Sequence, residues 1–343
     1  MKDKFILVIS STDDEQHIVH VQKHVERYGY RLLRVDTDRF GVDWGLTLLF
    51  DAVHCPHILI HAKENDLEIS EENIQSVWFR KPRISDFMHY NLSRESRLFI
   101  QDEWIATLNG FYRILQEKGI FFVSDPDRII RASYKPFQLL LAARLGWQIP
   151  QTAITSNPDL VRSFWSKTSG KVIAKPVGRG WVTNESNPDE VFFVMTNEIH
   201  ETDLECLSDL TLSPVTFQEN VPKDYEIRAT VVGQQVFSVS IDSQRSEHSR
   251  IDWRRYDFAN TPYKAITIPE LVKAKCLRIT QQLGLEYGAI DLIKTPADDY
   301  VFLEINPVGQ FLWLEHLAGV PISEAIARLL IGLEPPLQKL KEV

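Results

Sequence analysis

At 343 residues, with 44% hydrophobic and 25% charged side chains, the chain is long enough for two or three packed units with ample core. A formal charge of −9 and a pI of about 5.6 argue against a general nucleic-acid binder and leave room for a cationic partner. Cys55, Cys206 and Cys276 form no CxxC pair and read as free thiols in a reducing compartment. The N-terminal apolar run, Phe-Ile-Leu-Val-Ile at 5–9, is too short for a signal peptide or a membrane span, so a cytoplasmic protein without a membrane partner is expected.

The run at 5–9 is continuous, the mark of a strand covered on both faces. A helix over 14–28 ending at Gly29, a strand over 31–35 and short strands at 57–61 and 77–79 suggest an open α/β unit of about 120 residues. A long helix over 93–117 carries Leu98, Ile105, Leu108, Phe111, Tyr112 and Leu115 near helical spacing, and 121–123 is a strand. The next unit opens with a helix over 127–145, with Lys135-Pro136 as the place where it would break, and an extended stretch at 148–154. Asn157-Pro158 caps a helix that closes at Gly170, and a strand over 171–175 runs into the loop Pro176-Val177-Gly178-Arg179-Gly180. A short helix is predicted over 189–195, an acidic irregular stretch over 198–209, and a strand over 215–219. The last unit reads as antiparallel strands at 225–232 and 235–242, an arginine-rich segment over 243–257, a helix over 269–283, a hairpin of strands at 286–293 and 300–305, and a helix over 310–331.

That hairpin is the most informative stretch. With its turn centred between Ala297 and Asp298, Asp291 lies opposite Glu304, and the period of two puts Asn306 on the face of Glu304, with Leu292, Leu303 and Ile305 turned away. Like charges facing across a ladder cost up to about 1 kcal/mol, more when dehydrated. The patch makes sense as a hard oxygen site for Mg²⁺, or alternatively as a solvent-facing acidic hairpin. Lys175, at a strand end beside Gly178 and Gly180, suits an oligophosphate, although a surface lysine is the simpler reading. No P-loop and no dinucleotide fingerprint is present. Glu226 and Arg228 share a strand face, which holds Arg228 near a carboxylate, as an ordinary ion pair or as part of a site. Arg245, Arg250, Arg254 and Arg255 crowd one loop, either solvated or clamping phosphate oxygens. His54, His57 and His61 with Cys55 lack a second ligand pair at zinc spacing and read as structural.

Taken in order, Ala-Ser-Tyr-Lys ending at Lys135, Val-Ile-Ala-Lys-Pro around Lys175, Phe-Gln-Glu-Asn-Val at 217–221, Glu-Ile-Arg at 226–228, Asp-Trp-Arg at 252–254, Gly-Ala-Ile-Asp ending at Asp291 and Leu-Glu-Ile-Asn-Pro at 303–307 resemble the landmarks of an ATP-grasp ligase. Val-Trp-Phe-Arg-Lys-Pro at 77–82, the stretch 217–228 and Glu-Ile-Asn-Pro-Val-Gly-Gln-Phe-Leu-Trp-Leu-Glu at 304–315 resemble the microviridin-type peptide maturases, the graspetide ligases. The resemblance implies an α/β (α+β) ATP-grasp fold with three parts: an open α/β pre-ATP-grasp domain at 1–124, a central subdomain at 125–218 and an antiparallel-sheet subdomain at 219–343. It implies that Lys135 and Lys175 contact nucleotide phosphates, that Glu219, Asn220 and Val221 form the strand reading adenine, and that Glu226 holds ribose. Asp291, Glu304 and Asn306 would hold two Mg²⁺ ions, while Arg228 and Arg254 steady the γ-phosphate and acyl phosphate. Asp-Trp-Arg departs from the Arg-x-Asn form of related glutamate ligases, so Arg250 competes with Arg254 for that role; no dedicated general base stands out, and Glu226 is one candidate. Implied partners are ATP, a ribosomal precursor peptide with a helical leader and a Thr/Ser/Asp/Glu-rich core, and a second copy in a homodimer. The acidic run Glu198, Glu201, Asp203, Glu205 could pair with a basic leader or be a solvated loop. Rival readings are a ligase adding a free amino acid to a protein or small molecule, and a nucleotide-binding module without turnover.

Overall fold

The computed structural model describes residues 4–50, 57–62, 67–178, 180–184 and 187–339. β1 (Phe5–Ser10) is buried along its whole length, as its uninterrupted apolar run requires. After it come α1 (Glu15–Arg27), ended by Gly29 at φ +78°, and β2 (Arg31–Asp36). β3 (Trp44–Leu49), β4 (His57–Ala62) and β5 (Leu67–Ser70) form a separate antiparallel meander. The strand predicted at 57–61 therefore exists but lies outside the open sheet. That sheet is completed by β6 (Ile74–Phe79) and, after α2 (Arg94–Glu117), by β7 (Phe121–Val123), in the parallel order β2-β1-β6-β7. The buried positions of α2, Leu108, Phe111, Tyr112 and Leu115, lie in its C-terminal half, with Trp104 packed partly against the same core, whereas Leu98 and Ile105 are exposed.

The expected helix over 127–145 is two, α3 (Pro126–Ala132) and α4 (Lys135–Arg144), so the break falls where Lys135-Pro136 placed it. β8 (Thr152–Thr155) and α5 (Pro158–Lys167) follow, with Asn157 Oδ1 accepting from the Asp159 and Leu160 amides at the helix start. β9 (Val172–Lys175), β10 (Trp181–Asn184), β11 (Asn187–Phe193), β12 (Asn197–Ile199) and β13 (Val215–Glu219) give a hairpin, β10-β11, and a sheet ordered β12-β9-β13-β8. The helix predicted over 189–195 is thus a strand: Val191, Phe192 and Phe193 pair with Thr183, Val182 and Trp181, as β-branched and aromatic side chains favour. The acidic stretch is a run of 3-10 turns, Glu201–Leu212.

β14 (Tyr225–Val232), β15 (Gln235–Ile241), β16 (Tyr263–Ile266), α6 (Glu270–Gln282), β17 (Tyr287–Lys294) and β18 (Tyr300–Asn306) complete the sheet that carries the site, ordered β16-β15-β14-β17-β18. Alternation along β14 sorts its residues: Ile227, Ala229 and Val231 enter a core with Val272, Cys276 and Ile279 of α6, and Glu226 and Arg228 take the opposite face. Each buried Val or Ile among them contributes roughly 1.5–3 kcal/mol. The expected last helix is divided into α7 (Leu312–Ala318) and α8 (Ile322–Leu330), because Gly319 sits at φ +71° and Pro321 follows. Cys206 and Cys276 are free thiols, and burial pushes Cys276 up to about 12; Cys55 and His54 lie outside the described residues. Among the described residues no helix is long and apolar enough to cross a membrane.

Candidate active site

Asp291 of β17 pairs directly with Glu304 of β18, as the hairpin predicted, though the route differs. Leu292 pairs with Phe302, which centres the turn on Ala297, and an irregularity between Asp291 and Leu292 restores the Asp291–Glu304 register. The extra residue, Leu303, consequently lines the cleft beside Glu304 instead of turning away, while Leu292 and Ile305 do enter the core. Gly288 and Gly309 permit close approach here: a Cβ at Gly288 would meet Ile305 Cδ1 at 2.5 Å, and one at Gly309 would meet Ala289 Cβ at 2.5 Å.

Each carboxylate has its own cation. Arg228 Nη1 donates to Asp291 Oδ1 at 2.9 Å across the β14–β17 ladder, so the carboxylate that holds Arg228 is Asp291 and not Glu226. Lys135 Nζ, from the first turn of α4, lies 2.9 Å from Glu304 Oε2. Burial pushes the Asp291 carboxyl up, opposed by Arg228 and reinforced by Glu304. Burial acts the same way on Glu304, but Lys135, Lys175 and Arg254 outweigh it and hold that carboxyl down. Asn306 stands exposed at the end of β18, two residues from Glu304.

Lys175, at the end of β9, donates to Gln218 Oε1 at 2.9 Å, and burial lowers its ammonium. Lys135, Lys175, Arg254, Glu304 and Asn306 line one cavity with Gly178 and Gly180. Arg254 is fixed by a two-point contact with Asp252, Nε to Oδ1 at 2.8 Å and Nη2 to Oδ2 at 2.6 Å, and its Nη1 lies 3.9 Å from Glu304. The other arginines of that loop serve elsewhere: Arg245 pairs with Asp242, Arg255 donates to Thr196 and Asn197, and Arg250 lines a neighbouring surface hollow. Of the four arginines, Arg254 is the one that lines the cavity with Lys135 and Lys175.

Glu219, Asn220, Val221 and Glu226 line the cleft that adjoins this cavity, together with Ile173, Ile293 and Trp253. The Asn220 amide is spent on Lys171 O and its side chain on Glu198. Glu226 is buried, its pKa raised by that burial, with Lys223 Nζ at 2.8 Å from Oε1 and the Ser243 hydroxyl on Oε2. Of the acidic run, Glu198 is taken by Asn220 and Asp203 caps His200, and Glu201 and Glu205 are exposed. Four residues of the site escaped sequence reasoning. Asp252 stood inside the quoted Asp-Trp-Arg, and Lys223 precedes Glu226 by three positions. Gln218 sits next to Glu219 and pins Lys175. Gln138 bonds both the N–H and the C=O of Ile305 and so ties β18 to α4; nothing in its surroundings marks it.

The donor set fits a hard divalent cation. Two opposed carboxylates and an amide oxygen are all oxygen ligands, and the penalty on ionised Asp291 is what a dication would relieve. Among the described residues no group of three His, Cys, Asp or Glu side chains is arranged to hold a metal, so the remaining ligands would come from water and phosphate.

Comparison with known proteins places these features in a family. The MvdD pre-ATP grasp domain family matches residues 5–129. A RiPP-associated ATP-grasp ligase from Chryseobacterium gregarium, solved in complex with ADP and a leader and core peptide, is 30% identical; the likeness covers 97% of this chain and 98% of that one, with a TM-score of 0.88. Macrocyclase MdnC from Microcystis aeruginosa, solved bound with precursor peptide MdnA, is 29% identical over 96% of this chain and 99% of its own, with a TM-score of 0.83. The glutamate–LysW ligase ArgX of Sulfolobus acidocaldarius is 22% identical over 62% of this chain and 73% of its own. The chain is an enzyme with the ATP-grasp fold, and it belongs to the ATP-grasp ligases of the microviridin-type (graspetide) peptide maturase family.

Proposed function

We propose that this ligase uses ATP to activate an Asp or Glu side chain of a ribosomal precursor peptide as an acyl phosphate. It then closes an ω-ester with a Thr or Ser hydroxyl, or an ω-amide with a Lys amine, of the same peptide. The observation that carries the reading is the convergence of Glu304 and Asn306 with Lys135, Lys175 and Arg254 on one cavity, with Asp291 opposite Glu304 in the adjoining cleft. Likeness to proteins solved with precursor, leader and core peptides supports a peptide substrate over a free amino acid.

A carboxylate attacking a triphosphate is anion meeting anion. Mg²⁺ held by Asp291, Glu304 and Asn306 would neutralise phosphate charge. Lys135 and Lys175 bring two ammonium groups to the same phosphates, and the lowered pKa of Lys175 reflects a site built dry. Arg254, locked by Asp252, and Arg228, locked by Asp291, present fixed guanidinium groups to the γ-phosphate and the acyl phosphate. The Glu219–Val221 strand would read adenine; with the Asn220 amide engaged, its contact there falls to the carbonyl and to Val221. Glu226 would hold ribose once Lys223 shifts, and with its raised pKa it is also the candidate general base. Holding acyl phosphate and hydroxyl in one cavity makes the second step effectively intramolecular and excludes hydrolysis. The division at 1–124, 125–218 and 219–343, a homodimer, a cytoplasmic location and leader docking on the acidic run Glu198, Glu201, Asp203, Glu205 belong to this same reading.

The test is a reaction with ATP, Mg²⁺ and a precursor rich in Thr, Ser, Asp and Glu near its end. Precursor-dependent ADP release with loss of one water per ring is expected. ADP release only with a free amino acid, without mass loss, would point to the amino-acid-adding ligase, and no ADP to a binding module.

A further inference from the structure

Arg80, from the quoted Val-Trp-Phe-Arg-Lys-Pro, lies outside the cleft, 2% exposed at the end of β6. Its Nε donates to Asp14 Oδ2 at 2.8 Å. Its Nη1 donates to two consecutive carbonyls, Val308 O and Gly309 O, each at 2.9 Å. Gly309 O also accepts from Tyr287 Oη at 2.8 Å. The Val308 amide, in turn, donates to Asn306 Oδ1 at 3.0 Å. The Val308 residue is thus held at both ends, its carbonyl by Arg80 and its N–H by the oxygen offered to the metal. His17 fixes the same turn from the other side. Its Nδ1 lies 3.2 Å from Asp14 Oδ1, and its Nε2 accepts from the Phe311 amide at 3.4 Å. Arg80 Nη2 is buried without a partner among the described residues.

A buried ion pair seldom stabilises more than an apolar filling would, so burial alone does not account for Arg80. Its planar fork does what lysine cannot, spanning a carboxylate and two carbonyls at once. We infer that Arg80 is a positioning residue for the metal site, setting the Asn306 amide oxygen through the Val308-Gly309 turn. The open parallel sheet thereby tunes a cation held by the antiparallel one. This rests on the assignment of Asp291, Glu304 and Asn306 to Mg²⁺.

The test is Mn²⁺ binding in the presence of ADP, followed by electron paramagnetic resonance, with Mg²⁺ activation measured in parallel. Arg80→Lys is expected to weaken Mn²⁺ binding and raise the Mg²⁺ activation constant about tenfold, the range for groups that orient metal ligands. Turnover at saturating Mg²⁺ should stay near wild type, a split that general destabilisation does not produce. Asp14→Asn, which leaves the fork but removes its anchor, should shift the same way by less, and it decides the matter if Arg80→Lys does not fold. Mn²⁺ affinity unchanged in both variants, while Asn306→Ala loses it, would overturn the inference alone. Wild-type protein that binds no Mn²⁺ with ADP would overturn the metal-site reading as well.

Discussion

Asp291 and Glu304 face each other across β17 and β18, yet they are neutralised from opposite sides, Asp291 by Arg228 of β14 and Glu304 by Lys135 of α4. The pairing makes β18 the meeting place of two separate elements, and it gives the two carboxylates different sensitivities. Lys135→Ala should leave Glu304 with Arg254 at 3.9 Å as its nearest cation and lower ATP turnover by at least tenfold. A thermal melt should change modestly, because the paired side chains, 28% and 19% exposed, still reach water and Arg254 remains near Glu304.

The Asp252–Arg254 lock predicts a different pattern. Asp252 is held well below the usual carboxylate range, burial being outweighed by the hydrogen bonds and charge of Arg254. In Asp252→Asn the guanidinium keeps one neutral partner and loses its fixed aim. The expected result is a kcat fall of roughly ten- to a hundredfold with a smaller change in KM for ATP, as for an interaction made chiefly in the transition state. Steady-state kinetics at varied ATP checks it.

Glu226 and Lys223 should separate in the opposite sense. If Glu226 holds ribose, Glu226→Gln raises KM for ATP with kcat nearly unchanged. Lys223→Ala strands a buried carboxylate with Ser243 as its partner and should cost about 1–3 kcal/mol in urea denaturation.

Asp14 gives the acid limb of stability. Its folded pKa, held at about 2, lies below the ordinary carboxylate value of 3.8: burial raises it, and the His17 hydrogen bond and Arg80 overcome that. A depressed carboxylate contributes stability that is present above the unfolded pKa and is lost as pH falls through the folded one. The shift corresponds to roughly 2 kcal/mol at neutral pH. Asp14→Asn should therefore be less stable than wild type at pH 6 by about that amount, with the gap closing toward pH 2. Denaturant melts at the two ends of that range decide it.

The two close-packed glycines should differ. Gly309→Ala drives a Cβ to 2.5 Å from Ala289 Cβ, which cannot move without the strand, and should cost about 1–3 kcal/mol or more. Gly288→Ala meets the flexible end of Ile305 and should cost less. Paired thermal melts rank them.

Much of this was legible in the chain, for reasons that can be named. Period-two alternation sets the faces of β14 and β17 and of Glu304–Asn306 at the end of β18, because one face of each enters the α6 core; at Leu303 it fails. The opposition of Asp291 and Glu304 came out correctly by compensation: the turn is centred on Ala297 and an irregularity at Leu303 makes up the difference, a backbone event that leaves no residue signature. Arg228 was assigned the wrong acid because strand pairing brings Asp291 nearer than a same-strand neighbour, and pairing is a tertiary fact. The segment over 189–195 is a strand because its β-branched and aromatic run outweighs any helical spacing, and Gly319 and Pro321 divide the last helix. Gln138 and Arg80 act through main-chain groups far away in sequence, and no local pattern announces them.

The most direct test of the whole account is nucleotide consumption by the double variant Glu304→Ala, Asn306→Ala, with folding verified by circular dichroism. Loss of the cation from the phosphates should cut precursor-dependent ADP release by roughly a hundredfold or more, the scale of several kcal/mol of charge stabilisation. A folded double variant that releases ADP at the wild-type rate would contradict it.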